Sequence, residues 1–255
     1  MKKTAFTLIE LSIVLVIIAL LIASITTGSR LVQQARLLAI MKEINLIEKS
    51  VKTFIANYGE KPGDFSRAGI IWGSDCGGNT AAPTGCNGNG DGVIQDSVDS
   101  DTESFRFWQH MQLAGILDRS FTGVTAFSSG TDPHHDKNNS LVSEYQEDLL
   151  FKIQNVTGDD WSTHSLHPHN NIRLNKNEYE SWGVTSGAPF TPFEAHMLDK
   201  KFDDELPTEG IIEASRVWTG TAWDPKVCES GGVYNFAESS GACYILISGD
   251  RIFEL

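Results

Sequence analysis

The chain has 255 residues, enough for one domain with a long appendage. Hydrophobic residues at 40% and charged residues at 21% argue against wholesale disorder. The formal net charge of -13, from 33 acids against 20 bases, argues against broad contact with a nucleic-acid backbone. The charge is unevenly spread. Residues 1–57 hold seven Lys/Arg (Lys2, Lys3, Arg30, Arg36, Lys42, Lys49, Lys52) and three acids (Glu10, Glu43, Glu48), leaving 13 bases and 30 acids beyond. A basic, apolar stem therefore precedes an acidic head.

The N-terminus opens Met1-Lys2-Lys3-Thr4-Ala5 and continues into an apolar run, Phe6 to Ile25, whose one ionisable residue is Glu10. The run has the length that spans a bilayer. A secretory signal fits poorly, because Thr26-Thr27-Gly28-Ser29-Arg30 lacks a small-x-small cleavage site and Glu10 interrupts the apolar region. A plain membrane anchor fits the length but leaves Glu10 as an ionisable group that costs a few kcal/mol to insert, hence a functional candidate.

The segment Ala5-Phe6-Thr7-Leu8-Ile9-Glu10-Leu11 resembles the cleavage and methylation signature of type IV pilins and type II secretion pseudopilins. The resemblance accounts for both the lysines and the glutamate. It implies that a prepilin peptidase cuts between Ala5 and Phe6 on the cytoplasmic side and that the Phe6 amine is methylated. Glu10 is then the assembly carboxylate, meeting the Phe6 amine of a neighbouring subunit. The family usually has Gly before the cut; this chain has Ala5, the nearest small substitute, and slower cleavage is expected. A buried amine is tolerated in an apolar filament core only when paired.

Beyond Leu31 the uniform apolarity gives way to period. Ile40, Ile44, Ile47, Val51, Phe54, Ile55 and Tyr58 recur at spacings of three and four, one face of a helix. Glu48 and Lys52 form an i, i+4 pair in the favourable order, and Gly59 with Pro62 ends the pattern. A single helix over residues 7–57 is predicted, about 75 Å long, with a softening at Gly28. The expected organisation is a leader at residues 1–5, a stem at 6–58 that spans the membrane at 6–25, and a head at 59–255.

The head begins with the turn Pro62-Gly63-Asp64 and a long loop, residues 73–102, rich in Gly, Asn, Asp, Ser and Thr. Within it, Asn87-Gly88-Asn89-Gly90-Asp91-Gly92-Val93 matches the first half of a calcium loop. Asn87, Asn89 and Asp91 offer side-chain oxygens at positions 1, 3 and 5, Gly92 turns the chain at position 6, and Val93 offers its carbonyl at position 7. Val98 stands where a bidentate Glu belongs; Asp96, Asp99, Asp101 or Glu103 would have to complete the shell, and the sequence does not choose among them. The competing reading is a solvated turn built from Asn-Gly steps. Some pseudopilins hold calcium in a head loop, so the resemblance favours Ca2+ as the one candidate cofactor.

Ser100-Asp101-Thr102-Glu103 fits a capping box opening a helix from Phe105 through Leu117, and Thr191-Pro192-Phe193-Glu194 fits a second one opening a helix through Leu198. Asp199, Asp203 and Asp204 follow in a stretch read as a solvated acidic turn in preference to a cation site. This stretch, with Pro62-Gly63-Asp64 and Phe107-Trp108-Gln109-His110, resembles the head of a pilin-like group. Predicted strands are Leu149–Val156, Asn171–Leu174, Tyr179–Val184, Gly210–Trp218 and Cys243–Ser248.

Proximity favours the disulfides Cys76–Cys86 and Cys228–Cys243, though four cysteines permit three pairings. They require a head outside the cytoplasm, where the positive-inside rule puts it if Lys2 and Lys3 stay inside. His134, His135, His164, His167 and His169 match no metal template, and no nucleophile, phosphate loop or carboxylate pair points to catalysis.

The predicted fold class is α+β, a long N-terminal helix, transmembrane and then amphipathic, packed on a head with a mostly antiparallel sheet. The expected role is a structural subunit, pilin or minor pseudopilin, of a type IV pilus or secretion filament, and not an enzyme. Its partners would be other pilin subunits, the prepilin peptidase, the inner membrane and the assembly machinery. Two alternatives stand beside it: a membrane-anchored extracellular binding domain that never polymerises, and a competence pilin for DNA uptake. The acidic head disfavours the second, a patch at Lys200 and Lys201 aside.

Overall fold

A computed structural model describes residues 7–76, 85–95, 103–124, 139–144, 146, 149–156, 169–176, 188–215, 217–218, 223–224, 228–239 and 241–254. The first element is one unbroken helix, α1, Leu8–Tyr58, of 51 residues. It runs through Gly28 without interruption. Thr7 caps its start and Gly59 its end, where the chain turns left-handed at φ 78° and the Gly59 N–H returns to the Ile55 carbonyl. Only glycine adopts that conformation without penalty, so the helix stops there and the head begins.

The two halves of α1 have different surroundings. Among the described side chains, none between Thr7 and Arg36 is buried, and burial begins at Leu37. Leu37, Ile40, Met41, Ile44, Ile47, Val51 and Phe54 then line one face of the upper half and enter the core.

The core is closed by a five-stranded antiparallel sheet. Its strands are β1 (Leu141–Val142), β2 (Leu149–Val156), β3 (His169–Lys176), β4 (Ile212–Ser215) and β9 (Tyr244–Ile247), in the order β1-β2-β3-β9-β4. Register sets Phe151, Leu174, Ile245 and Ala214 in one row and Ile153, Ile172, Ile247 and Ile212 in the next. Both rows are buried in the same cluster as the α1 face. Two short hairpins, β5 (Val217–Trp218) with β6 (Trp223–Asp224) and β7 (Glu229–Ser230) with β8 (Val233–Tyr234), complete the strands.

Among the described residues there are four further α-helices, α2 (Ala68–Trp72), α3 (Glu103–Leu113), α4 (Pro192–Phe202) and α5 (Gly249–Phe253). α4 starts with Pro192 after the full capping box of Thr191 and Glu194. Its beginning lies beside the stem, where Gln33 Nε2 donates to Glu194 Oε1 at 3.1 Å. α5 grips the stem higher up, Arg251 donating to Glu48 and Asn45, each at 3.0 Å, while its guanidinium lies 4.4 Å from the Phe202 ring.

The structure corrects the sequence expectation in places. α3 ends at Leu113, not at Leu117, because Gly115 turns back with its N–H on the Gln112 carbonyl and the Ile116 N–H on the Met111 carbonyl. The strand expected over Gly210–Trp218 is divided into β4 and β5. The expected strand Tyr179–Val184 and the cap residue Ser100 lie outside the described residues, as do His134, His135, His164 and His167.

Candidate functional site

At the N-terminus, Ala5 and Phe6 lie outside the described residues. Glu10 is described, and it sits in the first turn of α1 with a local partner. The Thr7 N–H and Thr7 Oγ1 donate to Glu10 Oε2 at 2.8 and 2.7 Å, and the Glu10 N–H donates to Thr7 Oγ1 at 3.2 Å. This is a capping box. Its signature, Thr three residues before Glu, stood in the sequence and was obscured by the cleavage motif over the same residues. Glu10 thus starts the helix and remains exposed to whatever lies alongside. The run that follows is exposed along its length, including Leu11, Val16, Leu20 and Ile25. It forms one helix long and apolar enough to cross a membrane.

In the head, the candidate calcium loop is held by two carboxylates from flanking elements. Asp64 accepts the Gly90 and Gly92 N–H groups at 2.6 and 2.7 Å. Glu103 accepts the Asn89 N–H at 2.7 Å and the Gln95 N–H at 2.9 Å. Burial pushes both carboxyls above their ordinary range and the amide donors pull the other way; neighbouring acids, Asp91 for both and Asp64 for Glu103, add to the rise. Gly88 passes so close to Asp64 that a Cβ would lie 2.3 Å from its backbone, so only glycine fits there.

The predicted ligands are distributed around this frame. Asn87 Oδ1 accepts the Gly69 N–H at 2.7 Å. Asn89 Oδ1 accepts the Asp91 N–H at 2.9 Å, Asn89 Nδ2 donates to Asp91 Oδ2 at 2.9 Å, and Asp91 Oδ1 accepts the Val93 N–H at 2.8 Å. Asp96 lies outside the described residues. The structure therefore brings Asn89 and Asp91 together and turns Asn87 to α2. Of the acids expected to complete the shell, Glu103 is the one among the described residues, and it binds the loop's amides; Asp64 was not among the predicted ligands, since it precedes the alternating Asn-Gly-Asp stretch.

Beneath the loop lies His110, fully buried on α3. Its Nδ1 accepts the Gly63 N–H at 2.9 Å, and its Nε2 lies 2.7 Å from the Cys86 carbonyl, to which it donates as the neutral tautomer. Burial lowers its pKa to about 4, and the nearby Arg106 charge acts in the same direction. The ring stacks on Phe54 beside Phe65 and Trp72, tying the top of the stem to the loop. The disulfides are Cys76–Cys86, which closes this region, and Cys228–Cys243, which joins the β7–β8 hairpin to the entry of β9.

The acidic stretch at the end of α4 is not the solvated turn expected for all three acids. Asp199 is buried, its Oδ2 accepting the Tyr234 hydroxyl at 2.8 Å and its Oδ1 the Glu205 N–H at 3.2 Å. Burial raises its pKa to about 6. Asp203 accepts the Ile211 and Ile212 N–H groups, and Asp204 the Leu206 N–H. One oxygen from each of the three acids falls within 4.8 Å of the others. Lys200 Nζ lies 2.5 Å from a Glu205 carboxylate oxygen in an exposed ion pair.

Residues 1–26 match the family model described as the prokaryotic N-terminal methylation motif. No curated protein and no solved structure matches the chain. The motif is the type IV pilin and pseudopilin signature, and it covers the exposed apolar run at the start of α1.

Proposed function

We propose that the chain is a pilin or minor pseudopilin subunit. It is cut between Ala5 and Phe6, methylated at Phe6, and held in the inner membrane by the lower half of α1 with its head outside the cytoplasm. It is then drawn into a helical filament. The observation that carries this reading is the methylation motif, which covers a helical run that is exposed and apolar as far as Ile25, on a helix that from Leu37 onward buries one face in the head. An apolar helical surface of that extent is stable in lipid or against copies of itself, not in water. In the protomer Glu10 is satisfied by Thr7; in the filament it would exchange that partner for the amine of the neighbouring Phe6. Its work is assembly.

Intact mass and N-terminal sequence from cells with and without the prepilin peptidase test this directly. A chain beginning at methylated Phe6 only when the peptidase is present is the expected result. A chain that keeps Met1 in both, or is cut beyond Ile25, overturns it and leaves an anchored or secreted domain.

Calcium at the 87–93 loop is a second proposal, resting on the oxygen alternation of Asn87, Asn89, Asp91 and Val93 and on the neighbouring carboxylates Asp64 and Glu103. A cation would relieve their mutual repulsion. Thermal denaturation in excess calcium should then give a Tm several degrees above that in a chelator, by roughly 3 kcal/mol of linkage at one hundred times Kd. An equal Tm assigns the loop to its hydrogen bonds alone.

A further inference from the structure

We propose that the lower margin of the head is a lipid-contacting foot, centred on Phe193, which rests at headgroup level while the subunit is in the membrane. This rests on the membrane-inserted reading above.

Phe193 is 52% exposed and Phe236 59%. Both lie by His196: Phe193 one turn earlier on α4, Phe236 with its ring 5.2 Å from the imidazole. Exposed phenylalanines so grouped are unusual on a surface that meets only water.

The height of this patch is fixed by α1. The helix is continuous, and the contact of Gln33 with Glu194 places the start of α4 eight residues above Ile25, the end of the apolar run. At about 1.5 Å per residue that is about 12 Å. The headgroup layer extends about 5–8 Å beyond the hydrocarbon, and the usual helix tilt of about 20° lowers one side of the head further. A phenylalanine side chain at that margin reaches the layer where aromatic residues gather in membrane proteins.

The charges nearest Phe193 are paired or hydrogen-bonded. Glu194 is buried, its Oε2 accepting from the Thr191 N–H and hydroxyl and its Oε1 from Gln33. Lys200 is paired with Glu205. An acidic head is repelled by anionic headgroups at a distance, so contact falls to this aromatic surface, where Glu205 is offset by Lys200. A second copy of the chain is the competing occupant.

The test uses the full chain in vesicles of phosphatidylethanolamine and phosphatidylglycerol. The photoreactive benzoylphenylalanine replaces Phe193, Val16 in the span, or Ile70, one at a time. Ile70 is 78% exposed on α2, whose Trp72 ring lies 5.5 Å from Tyr58 at the far end of the stem. After irradiation, mass spectrometry should find lipid adducts at position 193 on the order of tenfold above position 70, with position 16 labelled as well. Lipid labelling at 193 no higher than at 70, while 16 is labelled, overturns the foot. Protein–protein adducts at 193 in place of lipid overturn it in favour of a second copy. Absence of labelling at 16 overturns the membrane reading itself, and the foot with it.

Discussion

His110 and Asp199 are buried titratable groups with opposite linkage to folding. His110 is held neutral, so its folded pKa of about 4 lies below the ordinary 6.5. The stability tied to its neutral form is full above pH 6.5 and is lost as pH falls towards 4. Asp199 has a folded pKa of about 6, above the ordinary 3.8, so its contribution is full at low pH and is lost as pH rises through 6. Between pH 4 and 6 the two slopes oppose each other. Asp199→Asn keeps a partner for the Tyr234 hydroxyl and removes one slope. Its denaturant midpoint should therefore fall more steeply than that of the parent chain on acidification from pH 6.5 to 4. Parallel midpoint curves would show that Asp199 does not titrate in that window.

Among the elements, α4 depends on its first turn. Thr191 and Glu194 satisfy the opening amides reciprocally, and Glu194 also holds Gln33 of the stem. Thr191→Ala removes one side of the box and should cost about 1 kcal/mol, read as a lower midpoint in chemical denaturation of the detergent-solubilised chain; an unchanged midpoint would mean that Pro192 and the stem contact suffice. The sheet depends instead on pairing. β9 bridges β3 and the edge strand β4, and Cys243 fixes its entry to Cys228. The upper end of the stem is locked by aromatic packing around Phe54 and by the hydrogen bonds of His110, which link three segments that are far apart in sequence.

The whole molecule is one helix with two environments. Its upper half belongs to the head core and its lower half is exposed to a medium the chain does not itself supply. That division makes Glu10 the residue on which assembly, but not folding, should depend. Glu10→Gln keeps an acceptor for Thr7, so the helix start and membrane insertion should survive. Incorporation into sheared filaments should fall by at least about tenfold, since roughly 1.4 kcal/mol of lost pairing already gives that factor. Wild-type incorporation by the Gln variant would remove Glu10 from the assembly mechanism.

The parts of the fold governed by local rules were legible in the amino-acid order. The apolar run, the three-and-four spacing from Ile40 to Tyr58 and the cap at Gly59 define α1 without reference to any other element, and Thr191-Pro192-Phe193-Glu194 does the same for α4. The Asn87–Val93 alternation was legible as a pattern. What holds that loop came from the fold: Asp64 stands outside the pattern, and Glu103, named only as one of several acids for the shell, holds it through the Asn89 and Gln95 amides. The same holds for His110 between Gly63 and Cys86, and for Asp199 under Tyr234. An acid or a histidine takes its protonation from burial and from partners distant in the chain, and periodicity carries no record of either.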